Sequence, residues 1–180
     1  DGIDSDIDTT AGRSGLITLT QGENDLSWDA GLYRKASLGD KVWEDLDHDD
    51  IQDAGEGGIG GVTVQLYTSG GTLLATTRTN SSGNYKFSNL DPGTYYLKFD
   101  KGDVIYKGIN MDNWKWASKN VGSNDAIDSD VNGDGVSKVN VTRTDNIVLT
   151  SGENDMSWDA AITPIANAHS RRSESAIPAI

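Results

Sequence analysis

The chain has no cysteine, and its 180 residues include only two histidines and three prolines. Without thiols there can be neither disulfide staples nor thiolate metal sites, so an extracellular protein of this composition must gain rigidity by another route. The histidines, His48 in an acidic stretch and His169 in the C-terminal tail, stand in no Ser-His-Asp or paired-carboxylate arrangement, and no enzymatic activity is expected. Basic residues are scarce too. Fifteen Lys and Arg stand against 28 Asp and Glu, a formal net charge of -13. That balance excludes nucleic acid and an anionic membrane surface as partners, since either would repel the protein and no basic patch offsets the field. No apolar run approaches the ~18 residues of a membrane span, so no membrane insertion is expected. No leader precedes Asp1, which reads as a mature product or an excised piece. Long runs of strong helix formers are missing as well.

What is present is glycine, 21 residues of it, with abundant Thr, Val and Tyr, a composition that favours many short strands joined by turns. Apolar residues at 35% suffice for one core if they alternate along strands, but not for two large ones.

The most informative stretch runs from Asp45 to Glu56 (DLDHDDIQDAGE), with carboxylates at positions one, three, five, nine and twelve of a twelve-residue loop. A calcium ion takes six to eight oxygens, and a loop of this length supplies them from alternate side chains, the carbonyl at position seven and the carboxylate at twelve. The expected ligands are Asp45, Asp47, Asp49, the Ile51 carbonyl, Asp53 and Glu56. Five chosen positions are all acidic by chance about once in ten thousand placements at this acidic content, and the plainer alternative is a solvated acidic turn. Position six is Asp50, where the sharp turn of a helix-loop-helix site wants glycine. A second acidic cluster, Asp128-Ser129-Asp130-Val131-Asn132-Gly133-Asp134-Gly135, offers Asp128, Asp130, Asn132 and Asp134 but no Glu at position twelve. Its missing ligands would come from Asp125 or from the first loop. Carboxylates crowded in this way repel one another until a cation arrives, so Ca2+ is the expected cofactor and should stabilise the fold.

An internal repeat sets the organisation. Residues 1–8 (DGIDSDID) return at 125–132 (DAIDSDVN), and 19–30 (LTQGENDLSWDA) return at 149–160 (LTSGENDMSWDA). A period near 125 residues suits tandem whole domains rather than a solenoid. Residues 1–35 are then the closing strands of a preceding module, 36–163 a complete module, and 164–180 a linker or tail whose apolar end, Ala176 to Ile180, could dock on a neighbour.

Within the complete module, Leu38 to Trp43 leads into the acidic loop. Val62, Val64 and Leu66 share one strand face, and Leu73 to Thr79 returns after a Gly70-Gly71 turn as a hairpin. Tyr85 to Phe87 follows, and Asp91-Pro92-Gly93 turns into alternating Tyr95, Leu97 and Phe99. Trp114 and Trp116 are placed on one strand face, and Val139 to Val141, Ile147 to Leu149 and Met156 to Ala160 close the sheet. This spacing predicts an all-β antiparallel sandwich with the metal loops grafted between strands, so that a switch needing a moving helix pair is excluded.

The runs Ser37 to Asp45 (SLGDKVWED), Ile51-Gln52-Asp53 with Glu56, Gly60 to Tyr67 (GGVTVQLY), Gly83 to Phe87 (GNYKF), Leu90 to Tyr95 (LDPGTY), Asp128-Ser129-Asp130 and Asp159-Ala160 resemble the SdrD B-like (B-repeat) domains of bacterial serine-aspartate repeat surface adhesins. The similarity runs from about 37 to 162, and the first 33 residues resemble the end of such a domain. It implies an immunoglobulin-like, collagen-adhesin-B-type sandwich that binds calcium and serves as a stalk or spacer unit of a secreted or cell-surface protein. Its partners would be neighbouring repeat modules or other copies of itself, with any host or glycan ligand unspecified. Family members usually have Gly where Asp50 stands. Related domains can cross-link a strand Lys to Asn or Asp, and Lys41 with Asp159 or Asn154 is the conceivable pair, against the plainer reading of an exposed strand lysine.

Two other functions fit the same residues. One is a subunit of an extracellular filament that exchanges its N-terminal strands or its tail. The other is a carbohydrate-binding accessory module, which would need the Trp114 and Trp116 rings at the surface.

Overall fold

Alternating apolar residues, β-branched and aromatic content and frequent turn residues dictate short strands, and the computed structural model bears this out over the residues it describes, 5–8, 11–121, 123–133 and 138–164. The chain divides into two compact units, Asp1–Arg34 and Lys35–Ile180. In the first, β1 (Ile7–Asp8) pairs antiparallel with β2 (Arg13–Ser14). Its Leu16, Leu26 and Leu32 side chains are almost wholly exposed.

The second unit holds β3 (Ala36–Glu44), β4 (Thr63–Thr68), β5 (Leu73–Arg78), β6 (Asn84–Leu90), β7 (Gly93–Asp100), β8 (Ile105–Tyr106), β9 (Ile109–Asn110), a single 3-10 turn (Met111–Asn113), β10 (Lys115–Trp116), β11 (Val141–Arg143), β12 (Ile147–Leu149), β13 (Asn154–Asp155) and β14 (Ala160–Thr163). Two sheets form an immunoglobulin-like sandwich. In one, β3 is flanked by β6 on one side and by β13 and β14 on the other, with β10 beyond β14. In the other, β7 lies between β4 and the pair β11 and β12, with β5 at the far edge. Among the described residues no helix is long and apolar enough to cross a membrane.

The core lies between the sheets. Val64 and Leu66 of β4 and Leu97 and Phe99 of β7 meet Leu38 and Val42 of β3, Tyr85 and Phe87 of β6 and Ile162 of β14. Full burial of each of these side chains stabilises the fold by about 1.5–3 kcal/mol. Tyr96, on the opposite face of β7 from Leu97, is buried differently. It stacks on Tyr67 at 5.1 Å between ring centroids, and Arg143 lies 4.4 Å from its ring.

Four details differ from the sequence expectation. The closing segment is parallel to β3, Asn154 opposite Ser37 and Ala160 opposite Val42, because the first and last strands of the unit are joined by the whole module rather than by a hairpin. The expected strand Met156 to Ala160 is interrupted: the Asp155 carboxylate accepts from Ser157 Oγ and Trp158 Nε1, which turns the chain out between β13 and β14. Trp114 caps the 3-10 turn, and only Trp116 of the pair lies on a strand. The strand expected from Val139 starts at Val141. The expected linker, 164–180, falls almost entirely on residues 165–180, outside the described residues.

Two glycines fix where the acidic loop rejoins the sheet. A Cβ on Gly58 would lie 1.8 Å from the Ser82 carbonyl oxygen, and one on Gly83, whose φ is +83°, would lie 2.2 Å from the Val42 carbonyl oxygen. Only bare backbone permits this approach. It lets Val42 N donate to Gly83 O (2.9 Å) and Ile59 N to Val42 O (2.8 Å), which pins the segment after Glu56 against β3.

Candidate metal centre

The loop from Asp45 to Glu56 leaves the end of β3 held at both ends by backbone bonds. Glu44 N donates to Gly57 O (2.9 Å) and Asp45 N to Ile162 O (3.1 Å). Asp45 is fully buried. Its Oδ1 accepts from His48 N (2.8 Å) and its Oδ2 from Thr163 Oγ1 (3.0 Å), while burial pushes its pKa up. Asp47 and Asp49 are exposed, and Asp49 Oδ1 accepts from Ile51 N (2.9 Å). The tight turn between them needs left-handed backbone, at His48 (φ 69°) and Asp50 (φ 65°). Asp50 thus adopts the conformation for which glycine is usual, and its carboxylate accepts from Ser118 N at 3.2 Å.

One carboxylate oxygen from each of Asp45, Asp47 and Asp49 comes within 4.8 Å of the others. The remaining expected ligands of this loop are placed differently. Glu56 is half-buried, and its two oxygens accept from Leu46 N (2.7 Å) and Asp53 N (3.0 Å), so it braces the loop backbone; burial raises its pKa. Ile51 is half-buried and Asp53 exposed, and neither belongs to the group of three.

The second group is Asp125, Asp128 and Asp130, again within 4.8 Å of one another. Asp128 and Asp130 are buried, and Asp128 Oδ1 has no hydrogen-bond partner among the described residues. Burial, and then the charge of Asp125, raises the Asp128 pKa. Asn132 Nδ2 donates to Asp145 Oδ1 at 3.3 Å, and Asp134 lies outside the described residues. The two acidic segments are neighbours: Ile51 and Asp128 form an antiparallel bridge, and Gln52 N donates to Ile127 O at 2.6 Å.

Behind the second group stands Asp159, whose burial nothing in the sequence marks. Asp159 is 1% exposed, and neither of its oxygens meets a donor at hydrogen-bond geometry among the described residues. Burial first, then repulsion from Asp40 and Asp130, pushes its pKa to about 8, with Lys41 pulling the other way. Burial likewise carries Asp130 to about 7 and Asp40 to about 6. Lys41 itself is half-buried, and Asn154, the other partner conceivable for it, instead accepts from Lys86 Nζ (2.8 Å) and Ser37 Oγ (2.6 Å).

The repeat is reproduced bond for bond in the two units. Asp6 N donates to Asp29 O (3.0 Å) and Asp29 N to Asp6 Oδ2 (2.9 Å); Asp130 N donates to Asp159 O (3.0 Å) and Asp159 N to Asp130 Oδ2 (2.7 Å). Gly31 N donates to Ser5 Oγ as Ala161 N does to Ser129 Oγ, and Thr20 with Glu23 repeats as Thr150 with Glu153. Asp29 is nonetheless exposed where Asp159 is buried, since in the second unit β3 and β6 cover the equivalent position.

The donors are carboxylates, hard oxygen ligands, and one of them, Asp128 Oδ1, is a buried oxygen lacking a partner among the described residues. That set fits a hard divalent cation. It gives no support to a sugar platform: Trp114 and Trp116 are 3% and 1% exposed, and both belong to the core.

Comparison with known proteins agrees with the motifs. The family model of the SdrD B-like domain matches residues 36–162. Serine-aspartate repeat-containing protein F of Staphylococcus epidermidis is 36% identical over 149 residues, covering 81% of this chain and 8% of that protein. Serine-aspartate repeat-containing protein E of Staphylococcus aureus is 43% identical over 98 residues, covering 53% of this chain and 9% of that protein. The chain therefore spans less than a tenth of the length of these relatives. Among solved structures, a minor pilin of Streptococcus agalactiae aligns with a TM-score of 0.42 at 12% identity, over 82% of this chain and 49% of the other.

Proposed function

The chain belongs to the SdrD B-like domain family, and from that premise we propose that it is a calcium-stabilised spacer module of an extracellular, cell-surface or secreted bacterial protein. The observation that carries this is the pairing of two three-carboxylate groups on loops joined by the Ile51–Asp128 bridge. A cation on Asp45, Asp47 and Asp49 ties down the end of β3, and one on Asp125, Asp128 and Asp130 ties the long connection before β11 to the same corner. When bound, the ion supplies charge neutralisation and cross-linking of loops; the chain supplies the oxygens and their spacing. The module is structural and performs no chemistry on a substrate.

Residues 1–35 are, on this reading, the closing strands of a module of the same kind, 36–163 a whole one, and the sequence after it a linker, so that the partners are neighbouring modules. The bond-for-bond repetition between the two units supports this, as does the exposure of Leu16, Leu26 and Leu32, which the first unit leaves without a sheet to cover them. That exposure also supports the second reading, a filament subunit whose first strands pair with another copy.

Metal counting and a melt in excess chelator test the proposal. Extracellular sites of this class bind calcium with Kd of about 0.1–1 mM, so 10 mM calcium stabilises by about 1.4–2.7 kcal/mol per site. Two sites together raise the melting temperature by about 6–20 °C. An unchanged melting temperature on adding chelator would sink the calcium reading. Sedimentation separates the two readings, because the spacer stays monomeric with and without calcium whereas a filament subunit grows in mass.

A further inference from the structure

We propose that the outer face of the sheet formed by β5, β4, β7 and β11 is a binding site for an acidic glycan, whose sulfate or carboxylate groups are held by Lys98 and Arg143.

The register across these strands sets one row of donors. Thr76 of β5 stands opposite Gln65 of β4, Gln65 opposite Lys98 of β7, and Lys98 opposite Arg143 of β11. All four belong to the alternating set that turns away from the core, since Val64, Leu66, Leu97 and Phe99 occupy the inward positions. Like charges directly opposite each other destabilise a sheet, so the fold alone gives no reason for this pair of cations. Neither enters an ion pair among the described residues. Asp100 is the one carboxylate at the described outward positions of the four strands, and its Oδ1 accepts from Gly102 N (2.9 Å). Asp145, just past β11, is ion-paired with Lys119. The chain has no Asp or Glu at all from Gly57 to Leu90, although it carries 28 of them. An acidic molecule thus keeps its own carboxylates away from one face.

Both cations are pre-positioned. The Tyr67 and Tyr96 rings are stacked 4° from parallel, with Lys98 Nζ 4.6 Å from the centre of the first and Arg143 4.4 Å from the centre of the second. Contacts of this kind order the charged heads and consume none of their hydrogen-bond donors. Arg143 Nε donates to Thr144 O (3.1 Å), which leaves the two terminal nitrogens for an oxyanion. Gln65 Oε1 accepts from Tyr67 Oη (3.2 Å), which leaves the Gln65 amide nitrogen as a donor.

The row itself selects the occupant. Four strands spaced about 4.8 Å apart make it about 14 Å long, more than one small anion covers and enough for consecutive units of a linear polymer. Charged donors on β7 and β11 suit sulfate or carboxylate, and neutral donors on β4 and β5 suit hydroxyls. An acidic glycan carries both kinds of acceptor on one chain. An extended peptide finds no strand edge at the centre of the row, because β4 and β7 are bonded on both sides. A nucleic acid finds no open ring, because each tyrosine is covered by the other and by a cation. The net charge of -13 opposes a long polyanion, while screening over about 8 Å at physiological salt confines that repulsion, so short chains fit best.

A heparin-derived hexasaccharide titrated into the calcium-loaded full chain, followed by amide NMR shifts at physiological salt, tests the site. Shifts should centre on Gln65, Lys98 and Arg143. Lys98→Gln and Arg143→Gln should each weaken binding by about tenfold or more, and Lys86→Gln, on the other sheet, should leave it unchanged. Arg143→Lys keeps the charge over the ring but loses the fork, and should weaken binding with an unaltered thermal melt, which guards against a folding defect in the other variants. Absence of any shift at millimolar hexasaccharide overturns the proposal, as do shifts centred on the acidic loops or an equal loss in Lys86→Gln. Inorganic sulfate binding as tightly as the hexasaccharide would make this an ion site only, and an aspartate hexapeptide doing so would make it a peptide site; either result overturns the glycan assignment.

Discussion

Asp159→Asn isolates what a buried, unpartnered acid does to the metal-free protein. An unfolded aspartate ionises near pH 3.9, whereas Asp159 in the folded protein does so at about 8, through burial and the repulsion of Asp40 and Asp130. The folded state therefore holds a proton that the unfolded state has released. For an acid shifted upward the stability contribution is greatest below the unfolded value and is lost as pH rises to the folded one. At about 1.4 kcal/mol per pH unit, Asp159 costs about 3 kcal/mol at pH 6 and about 6 kcal/mol at pH 9, a fall of about 3 kcal/mol across that interval. No solvent discount applies, because the residue is 1% exposed. Urea denaturation of the chelated protein at pH 6, 7.5 and 9 reads the slope directly. Asp159→Asn should flatten most of it, leaving the part due to Asp130 and a smaller part due to Asp40. If wild type loses less than about 1 kcal/mol over the interval, or if the variant keeps the wild-type slope, the assignment of a high-pKa acid here is refuted.

Other perturbations should act with equally definite signs. Gly58→Ala drives a methyl into the Ser82 carbonyl, with no flexible side chain to give way, and should destabilise by more than about 3 kcal/mol in a thermal melt. Trp116→Ala removes a core ring packed edge-on to Phe99 and should cost about 3–5 kcal/mol in urea denaturation. Lys107→Ala strips the partner, 2.5 Å away, from the fully buried Glu44. Since Lys107 itself is more than half exposed, the loss should be about 1–3 kcal/mol, with Glu44→Gln restoring much of it in the double variant. Asp128→Asn should lower the bound-metal count and shrink the calcium-induced rise in melting temperature measured by calorimetry, while leaving the metal-free melt equal or higher.

Much of this architecture is legible in the residues because period-two alternation reports which face is buried. Val62, Val64 and Leu66, and Tyr95, Leu97 and Phe99, all point inward as their spacing requires. Alternation is silent about partners, so the parallel pairing of the closing segment with β3 could not be read from it. Nor could the excursion between β13 and β14, which depends on the Asp155 carboxylate bonding Ser157 and Trp158 rather than on apolar pattern. At the acidic loops, local spacing identified Asp45, Asp47 and Asp49 because one short turn collects them. It could not say that the Glu56 oxygens accept from backbone donors or that Asn132 Nδ2 donates to Asp145. The near-complete burial of Asp159 and of Lys101 could not be read from the sequence for a common reason. Their burial is conferred by strands distant in sequence, and a single carboxylate or amine carries no local sign of what will cover it.

The parallel pairing of β3 with β13 and β14 has a mechanical consequence. A chain loaded at its two ends enters this unit at the start of β3 and leaves it at the end of β14, and two parallel neighbours pulled that way are drawn in opposite directions along their common axis. Their evenly spaced backbone bonds then bear the load together in shear and must fail together, whereas an antiparallel pair gripped at adjacent ends would unzip one bond at a time. The force needed to open the unit is thus set by its first and last strands, and the acidic loop that follows β3 lies outside the line of tension.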